Sequence, residues 1–214
     1  MGRVDAAQEA QPMAGPMPKT AVFDEFLPAD LHARLLDYTL ASEAAFIQSG
    51  VHIDGDATVR DHYRISHYHP DGLGPLKKAF RAVADDSFLR LCEGAGVKPF
   101  DISWIEVELA AHGDGAFFLP HIDTYTGRGR GTQNSDRVLT AVYYFHREPK
   151  GFSGGNLEIH PFGGGPACLT IEPQQNRMVC FASTVLHQVS PVSCPSGAFA
   201  DNRFALNFWF HRAK

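Results

Sequence analysis

The sequence predicts a mainly β fold with flanking helices: a double-stranded β-helix, or jelly roll, backed by N-terminal helices. Three observations predict it. Helical periodicity is confined to the first hundred residues, about eight short apolar runs follow from Ile102 onward, and Gly and Pro punctuate those runs. A chain of 214 residues, 44% of them hydrophobic, can bury a full core as one domain. The expected organisation is a flexible tail over 1–19, rich in Ala, Gln, Pro and Met, then a single domain over 20–214. Helical support occupies 20–100 of that domain and the jelly-roll core 101–214.

Taken in order, Val22–Phe26 reads as a short strand. Pro28 then opens a helix with Leu31, Leu35, Leu36 and Leu40 at helical spacing. A second helix runs from Gly74 to about Gly94, with Leu76, Phe80, Val83, Phe88 and Leu91 on its apolar side. Both are expected to pack on the back of a sheet. The strands expected after them are Ile102–Leu109, Phe117–Ile122, Val138–Phe145, Asn156–His160, Cys168–Ile171, Met178–Phe181, Leu186–Val189 and Phe204–Phe210. The unbroken apolar run Val138–Phe145 predicts burial on both faces. Gly163-Gly-Gly165 reads as a turn.

Composition narrows the function classes. The net charge of −5 gives no electrostatic case for nucleic acid. No apolar run approaches the ~20 residues of a membrane span, and the N-terminus has no signal-peptide pattern. Cys92, Cys168, Cys180 and Cys194 lack metal-ligand spacing and read as reduced, packed thiols, which suits the cytoplasm.

The chemistry concentrates in four residues. Eleven His and fifteen Asp among 214 residues give about 0.8 His-x-Asp pairs by chance, and four are present, at His52, His69, His112 and His121. His69-Pro-Asp71-Gly72 is a turn sequence, and His52-Ile-Asp54 runs into Gly55-Asp56, another turn. His121-Ile-Asp123 instead follows the apolar stretch Ala116–Pro120, where positions i and i+2 share a face roughly 7 Å apart. Downstream, His187 sits between Leu186 and Val189, after a strand and a Ser183-Thr184 turn. Two imidazoles and a carboxylate on one face of an ion leave the opposite face open, as in non-haem iron oxygenases. Arg203 heads a strand that alternates Phe204, Leu206, Phe208 and Phe210 against Arg203, Ala205, Asn207 and Trp209. A guanidinium in that half-buried place needs an anion and can grip a carboxylate through two parallel bonds. The bland alternative is a strand-end Arg reaching water or paired with Asp201.

These residues carry a resemblance. His112-Gly-Asp-Gly-Ala-Phe-Phe-Leu-Pro-His-Ile-Asp123 resembles the iron-binding strand of the 2-oxoglutarate/Fe(II)-dependent dioxygenases, in their prolyl 4-hydroxylase-like branch. Arg203-Phe-Ala-Leu-Asn207-Phe-Trp209 resembles the branch's ending, Arg137–Phe145 its central strand, and Gly154-Gly155-Asn-Leu157 its Gly-Gly turn. The likeness spans roughly Asp101 to His211. It implies His121, Asp123 and His187 as metal ligands, Arg203 as partner of the far carboxylate of 2-oxoglutarate, and His112 and Asn207 beside that cosubstrate. It implies Fe(II), 2-oxoglutarate and O2 as requirements, and leaves room for ascorbate in sustained activity. The implied reaction is oxidative decarboxylation of 2-oxoglutarate to succinate, coupled to hydroxylation of a small-molecule or peptide substrate such as a prolyl or other amino-acid residue. His112 and Phe118 stand where the branch often carries Tyr, so two hydroxyls are missing.

The substrate pocket is sought in two polar stretches. Arg60–His69 can form one wall, through Arg60, His62 and Tyr63. The loop 127–136, with Arg128 and Arg130, can act as a lid. Competing readings are a cupin-like metal dioxygenase that does not use 2-oxoglutarate, a non-catalytic ligand-binding jelly roll, and a zinc hydrolase on the same three ligands. Arg203 argues against the first, the complete ligand set against the second, and the lack of a flanking helical Glu as general base against the third. Oligomeric state is not legible.

Overall fold

A computed structural model describes residues 15–53, 56–58, 61–126, 130–131 and 133–214. Most of the expected tail therefore lies outside the described residues. So do Asp54, Gly55, Arg60, Arg128 and parts of the 127–136 loop.

The first elements are β1 (Thr20–Phe23) and helix α1 (Ala29–Ala41), which Pro28 caps as expected. Four short strands follow: β2 (Ile47–Gln48), the hairpin β3 (Val51–Ile53) and β4 (Asp56–Thr58), and β5 (Arg64–Ile65). Next come β6 (His67–Tyr68) and α2 (Lys77–Ala95), entered through a tight 3₁₀ turn at Gly74–Leu76. Gly96, at φ 67°, ends α2. Its left-handed conformation lets the backbone N–H of Val97 turn back to the Cys92 carbonyl at 2.9 Å.

The roll itself holds β7 (Trp104–His112), β8 (Phe117–His121), β9 (Ser135–Phe145), β10 (Ser153–Gly154) and β11 (Leu157–Ile159). It ends with β12 (Leu169–Ile171), β13 (Arg177–Ala182), β14 (His187–Val189), β15 (Val192–Ser193) and β16 (Arg203–Ala213). All eight strands expected from periodicity are present. Those missed, β2 to β6, β10 and β15, are two or three residues long, too short for a period to show.

Two antiparallel sheets face each other, a major one of order β1-β13-β9-β16-β7-β6-β2 and a minor one of order β12-β11-β14-β8-β5. This is a jelly roll. The helices cover the outer face of the major sheet. Leu35, Phe80 and Leu91 pack there against Leu139, Tyr143, Phe145, Phe204, Leu206, Phe208 and Phe210. Between the sheets Val142, Tyr144, Ala205, Val179 and Phe181 meet Leu157, Ile159 and Ile171. Residues of β9 thus enter both cores in alternation, which is why that strand reads as continuously apolar. The segment Arg64–Tyr68 crosses from one sheet to the other: β5 pairs with β8 and β6 pairs with β7. It closes one side of the roll.

Candidate metal and carboxylate site

His187 and His121 are direct cross-strand partners in the β14–β8 pair. Opposed side chains on one sheet face are close neighbours, and here the two rings lie 4.2 Å apart between centroids. Asp123 comes in just past the end of β8. Its backbone N–H donates to the Ser183 carbonyl at 2.9 Å, and so does that of Thr124 at 3.0 Å. The Ser183-Thr184 turn that leads into His187 therefore also sets Asp123.

The donor atoms converge. His121 Nε2 stands 3.8 Å from Asp123 Oδ1, and His187 Nε2 stands 3.7 Å from Asp123 Oδ2. One ligand atom from each of the three residues lies within 4.8 Å of the others. Each imidazole donates from Nδ1 to a carbonyl two residues earlier: His121 to Leu119 at 2.8 Å and His187 to Val185 at 2.9 Å. A carbonyl only accepts, so the proton sits on Nδ1 and Nε2 keeps its lone pair. Burial and the neighbouring His187 push the His121 pKa down to about 3. Burial alone would raise the Asp123 carboxyl, but His187, His121 and Arg137 hold it below the usual carboxylate range. Thr140 Oγ1 donates to Asp123 Oδ2 at 2.7 Å. Two imidazole nitrogens and an ionised carboxylate oxygen form a donor set that fits Fe(II).

A cleft of about 490 Å³, counting its open mouth, joins this cluster to Arg203. Arg203 is 2% exposed. Its Nε donates to the Gly155 carbonyl at 2.8 Å, and its Nη1 donates to His112 Nδ1 at 3.1 Å. Gly155 permits this approach, because a Cβ there would stand 2.6 Å from Arg203 Cδ and the backbone has φ +64°. Asp201 pairs with Arg147 and Ser196 rather than with Arg203. Among the described residues, no carboxylate lies within ion-pair distance of Arg203. Burial and the adjacent Arg203 hold His112 well below the ordinary histidine range, so it accepts as a neutral ring. The Arg203 guanidinium carbon stands 4.9 Å from the Tyr144 ring centroid, and among the described residues the buried Tyr144 hydroxyl has no partner in hydrogen-bond geometry. A buried cation and an idle hydroxyl at one end of a cleft fit a carboxylate.

The remaining expected site residues scatter. Asn207 lines the cleft, and its amide donates to Glu108 Oε1 at 3.2 Å. Tyr63 bonds the Pro120 carbonyl at 3.0 Å and packs edge-on against Phe118, behind the cleft wall. His62 is exposed. Arg130 is bound to Asp136 at 2.8 Å, away from the cleft lining. His69 is buried with Tyr38 and Phe46 and does not join the cluster, and His52 lies in the β3–β4 hairpin.

Cleft residues that sequence reasoning missed are Arg64, Glu108, Thr140 and Tyr144. The last two had a signal, since Thr140, Val142 and Tyr144 share one face of an apolar strand. Glu108 had one too, at the same alternate positions as His112. Behind the cleft, Glu106 receives Arg137 at 2.7 Å and 2.9 Å and His211 at 3.1 Å, and Arg137 also reaches the Asp123 carbonyl at 3.3 Å.

Comparison with known proteins follows the same lines. Residues 107–211 match the family described as the 2OG-Fe(II) oxygenase superfamily. A relative from Synechocystis, described as an uncharacterized PKHD-type hydroxylase, is 36% identical over 195 residues, covering 87% of this chain and 61% of that protein. The chain thus spans about three-fifths of the length of the curated relative it matches. A Pseudomonas putida prolyl-4-hydroxylase aligns with TM-score 0.64 and 23% identity over 91% of this chain and 94% of that one. A Trichoplax adhaerens prolyl hydroxylase, solved with a hypoxia inducible factor peptide fragment, aligns with TM-score 0.66 and 18% identity over 90% and 83%. At such identities the solved structures speak for the fold.

Proposed function

We propose that the chain is a member of the 2OG-Fe(II) oxygenase superfamily, which it matches over residues 107–211, and that it binds Fe(II) and 2-oxoglutarate and hydroxylates an amino-acid residue, prolyl or other. The observation that carries this reading is a pairing within one cleft: three convergent donors at one place, and at another a buried arginine with no carboxylate partner among the described residues.

His121, Asp123 and His187 would hold the metal. Bound together, iron and the 2-oxo acid supply the activation of dioxygen that hydroxylates a C–H bond, the acid leaving as succinate and carbon dioxide. Arg203 binds and orients the far carboxylate of the cosubstrate through charge-assisted bonds, and the Tyr144 hydroxyl adds a second donor. His112, kept neutral, accepts from Arg203 and fixes the plane of the guanidinium. Val142, Leu157 and Val189 line the cleft with hydrocarbon, which excludes water. The missing Tyr hydroxyls at positions 112 and 118 are compensated at this end by Tyr144.

Support for the hydroxylase class comes from the PKHD-type relative, and the peptide complex of the Trichoplax neighbour makes a peptide a reasonable occupant. Dioxygen follows from this chemistry, and ascorbate would serve to rescue oxidised iron. Four unpaired cysteines suit a reducing compartment, the cytoplasm. No helix among the described residues is long and apolar enough to cross a membrane.

The test is an anaerobic titration of the Fe(II)-loaded protein with 2-oxoglutarate. A visible charge-transfer band that saturates, followed by succinate formation once oxygen is admitted, is the expected result. Absence of the band in a folded, iron-loaded protein would remove 2-oxoglutarate from the reading and favour a cosubstrate-independent metal dioxygenase.

A further inference from the structure

Arg64 and Glu108 form an ion pair inside the cleft that neither the metal nor the cosubstrate needs. Arg64 Nη2 donates to Glu108 Oε1 at 2.8 Å, and the two side chains are only 13% and 20% exposed. Asn207 donates to the same Oε1 at 3.2 Å, while Arg64 Nε donates to Ser66 Oγ at 2.7 Å. The Arg64 guanidinium also stands over the Phe118 ring at 4.9 Å, and Phe118 stacks on His121 at 3.5 Å. The pair is therefore held rigidly beside the metal cluster. Two of its atoms, Glu108 Oε2 and Arg64 Nη1, have no hydrogen-bond partner among the described residues.

A largely buried ion pair is weak as a stabilising device, because desolvating two charges offsets their attraction. Its retention in a cleft calls for another role. Register places it. On the inner face of β16, Asn207 lies opposite Glu108 on one side and Val142 on the other, while Trp209, two residues on, lies opposite Thr140. Glu108 is thus one pleat, roughly 7 Å, from the row whose Thr140 holds Asp123.

Building on the oxygenase reading above, we propose that Arg64 and Glu108 are specificity-determining residues that grip the backbone of one residue of a polypeptide substrate, Glu108 Oε2 accepting that residue's N–H and Arg64 Nη1 donating to its C=O. Charge favours this occupant. Fe(II) balances the two carboxylates of 2-oxoglutarate, Asp123 balances Arg203, and Glu108 balances Arg64, so the loaded cleft is neutral with its imidazoles uncharged. A lone ammonium or carboxylate would unbalance it. A zwitterionic free amino acid would compete for charges that Arg64 and Glu108 already satisfy in each other. The backbone N–H and C=O of one extended residue use the two idle atoms and break nothing.

The experiment uses the full chain, loaded anaerobically with Fe(II) and 2-oxoglutarate. The probes are a pool of N-acetylated, C-amidated pentapeptides randomised at each position and, separately, the twenty free amino acids. Binding is read as a shift of the visible band, and active peptides are resolved singly. Capped peptides are expected to shift the band, and Glu108→Gln and Arg64→Ala to weaken the best peptide about ten-fold. Replacing one amide N–H of that peptide by an ester oxygen should cost a similar factor in the native protein and little in Glu108→Gln, whose amide donor faces the same position. The ester series in the native protein decides the matter even if a variant does not fold. Failure of the band itself would overturn the oxygenase reading, and this inference with it. A normal band shifted only by free amino acids, or by neither probe, overturns this inference alone. So does peptide binding that is indifferent to every ester position and to Glu108→Gln.

Discussion

Thr140 donates its hydroxyl hydrogen to Asp123 Oδ2 at 2.7 Å, and the same hydroxyl lies 2.9 Å from Ser183 Oγ. This fixes the plane of the carboxylate, with Oδ1 nearest His121 Nε2 and Oδ2 nearest His187 Nε2. Partners behind the ligands typically govern metal affinity by about 10–100-fold. Thr140→Val keeps the shape and the apolar packing while removing that donor. The expected result is iron affinity lowered by about ten-fold or more in a protein of unchanged fold, measured by competition with a chelator. Affinity equal to that of the native protein would mean that Asp123 is oriented by its backbone bonds to Ser183 alone.

The ligands themselves should behave as a set. His121→Ala, Asp123→Ala and His187→Ala are each expected to lose tight iron binding and to keep the native circular dichroism spectrum. His69→Ala should keep full iron stoichiometry, although it opens space beside Tyr38 and Phe46 and lowers the melting temperature. Metal content after desalting measures this directly. An empty site in His69→Ala, with a full one in His121→Ala, would show that the wrong His-x-Asp pair had been chosen.

The local part of this architecture was legible in the sequence, and the part made by distant segments was not. The alternation of Phe204, Leu206, Phe208 and Phe210 against Arg203, Asn207 and Trp209 survives in β16, because a strand has only two faces and each meets a different core. Likewise His121 and Asp123 are two residues apart, so a strand alone nearly brings them together. The substrate wall was harder. The stretch 60–69 was marked by its polar composition, with Arg60, His62 and Tyr63 as the named residues, yet Arg64 is the one that lines the cleft. Its inward direction depends on β5 pairing with β8, a contact between segments about fifty residues apart in a strand too short to show a period. Tyr144 was hidden by its neighbours, since an aromatic in an apolar run reads as core until the chain opposite leaves its hydroxyl bare.

The carboxylate end gives a prediction that does not touch a charged group. Gly155 offers its carbonyl to Arg203, and any side chain there would collide with Arg203 Cδ at 2.6 Å. Gly155→Ala should therefore mimic a weakened Arg203, with iron retained and the 2-oxoglutarate concentration for half-saturation raised about ten-fold. Arg203→Ala should raise it further, and Arg203→Lys should recover only part, since an ammonium cannot reproduce the planar fork. Tyr144→Phe should give a smaller rise. Unchanged 2-oxoglutarate affinity in both Gly155→Ala and Arg203→Ala would remove the carboxylate role from this corner.

Acid should unfold the metal-free protein for a reason that can be located. Burial and Arg203 hold the His112 pKa well below its ordinary value of 6.5, so in the folded state it remains neutral where the unfolded chain would take up a proton. Burial lowers the His32 pKa in the same direction. Between 6.5 and the depressed folded value, the unfolded state binds more protons. Stability is therefore fully present above pH 6.5 and falls as the pH drops below it. Each such histidine contributes a slope of up to about 1.4 kcal/mol per pH unit. Urea unfolding of metal-free protein from pH 7.5 to 4.5 should show that decline, and His112→Asn, which keeps a polar partner for Arg203 but takes up no proton, should flatten it. A variant that loses stability with acid as steeply as the native chain would move the cause away from His112 and onto the remaining buried histidines.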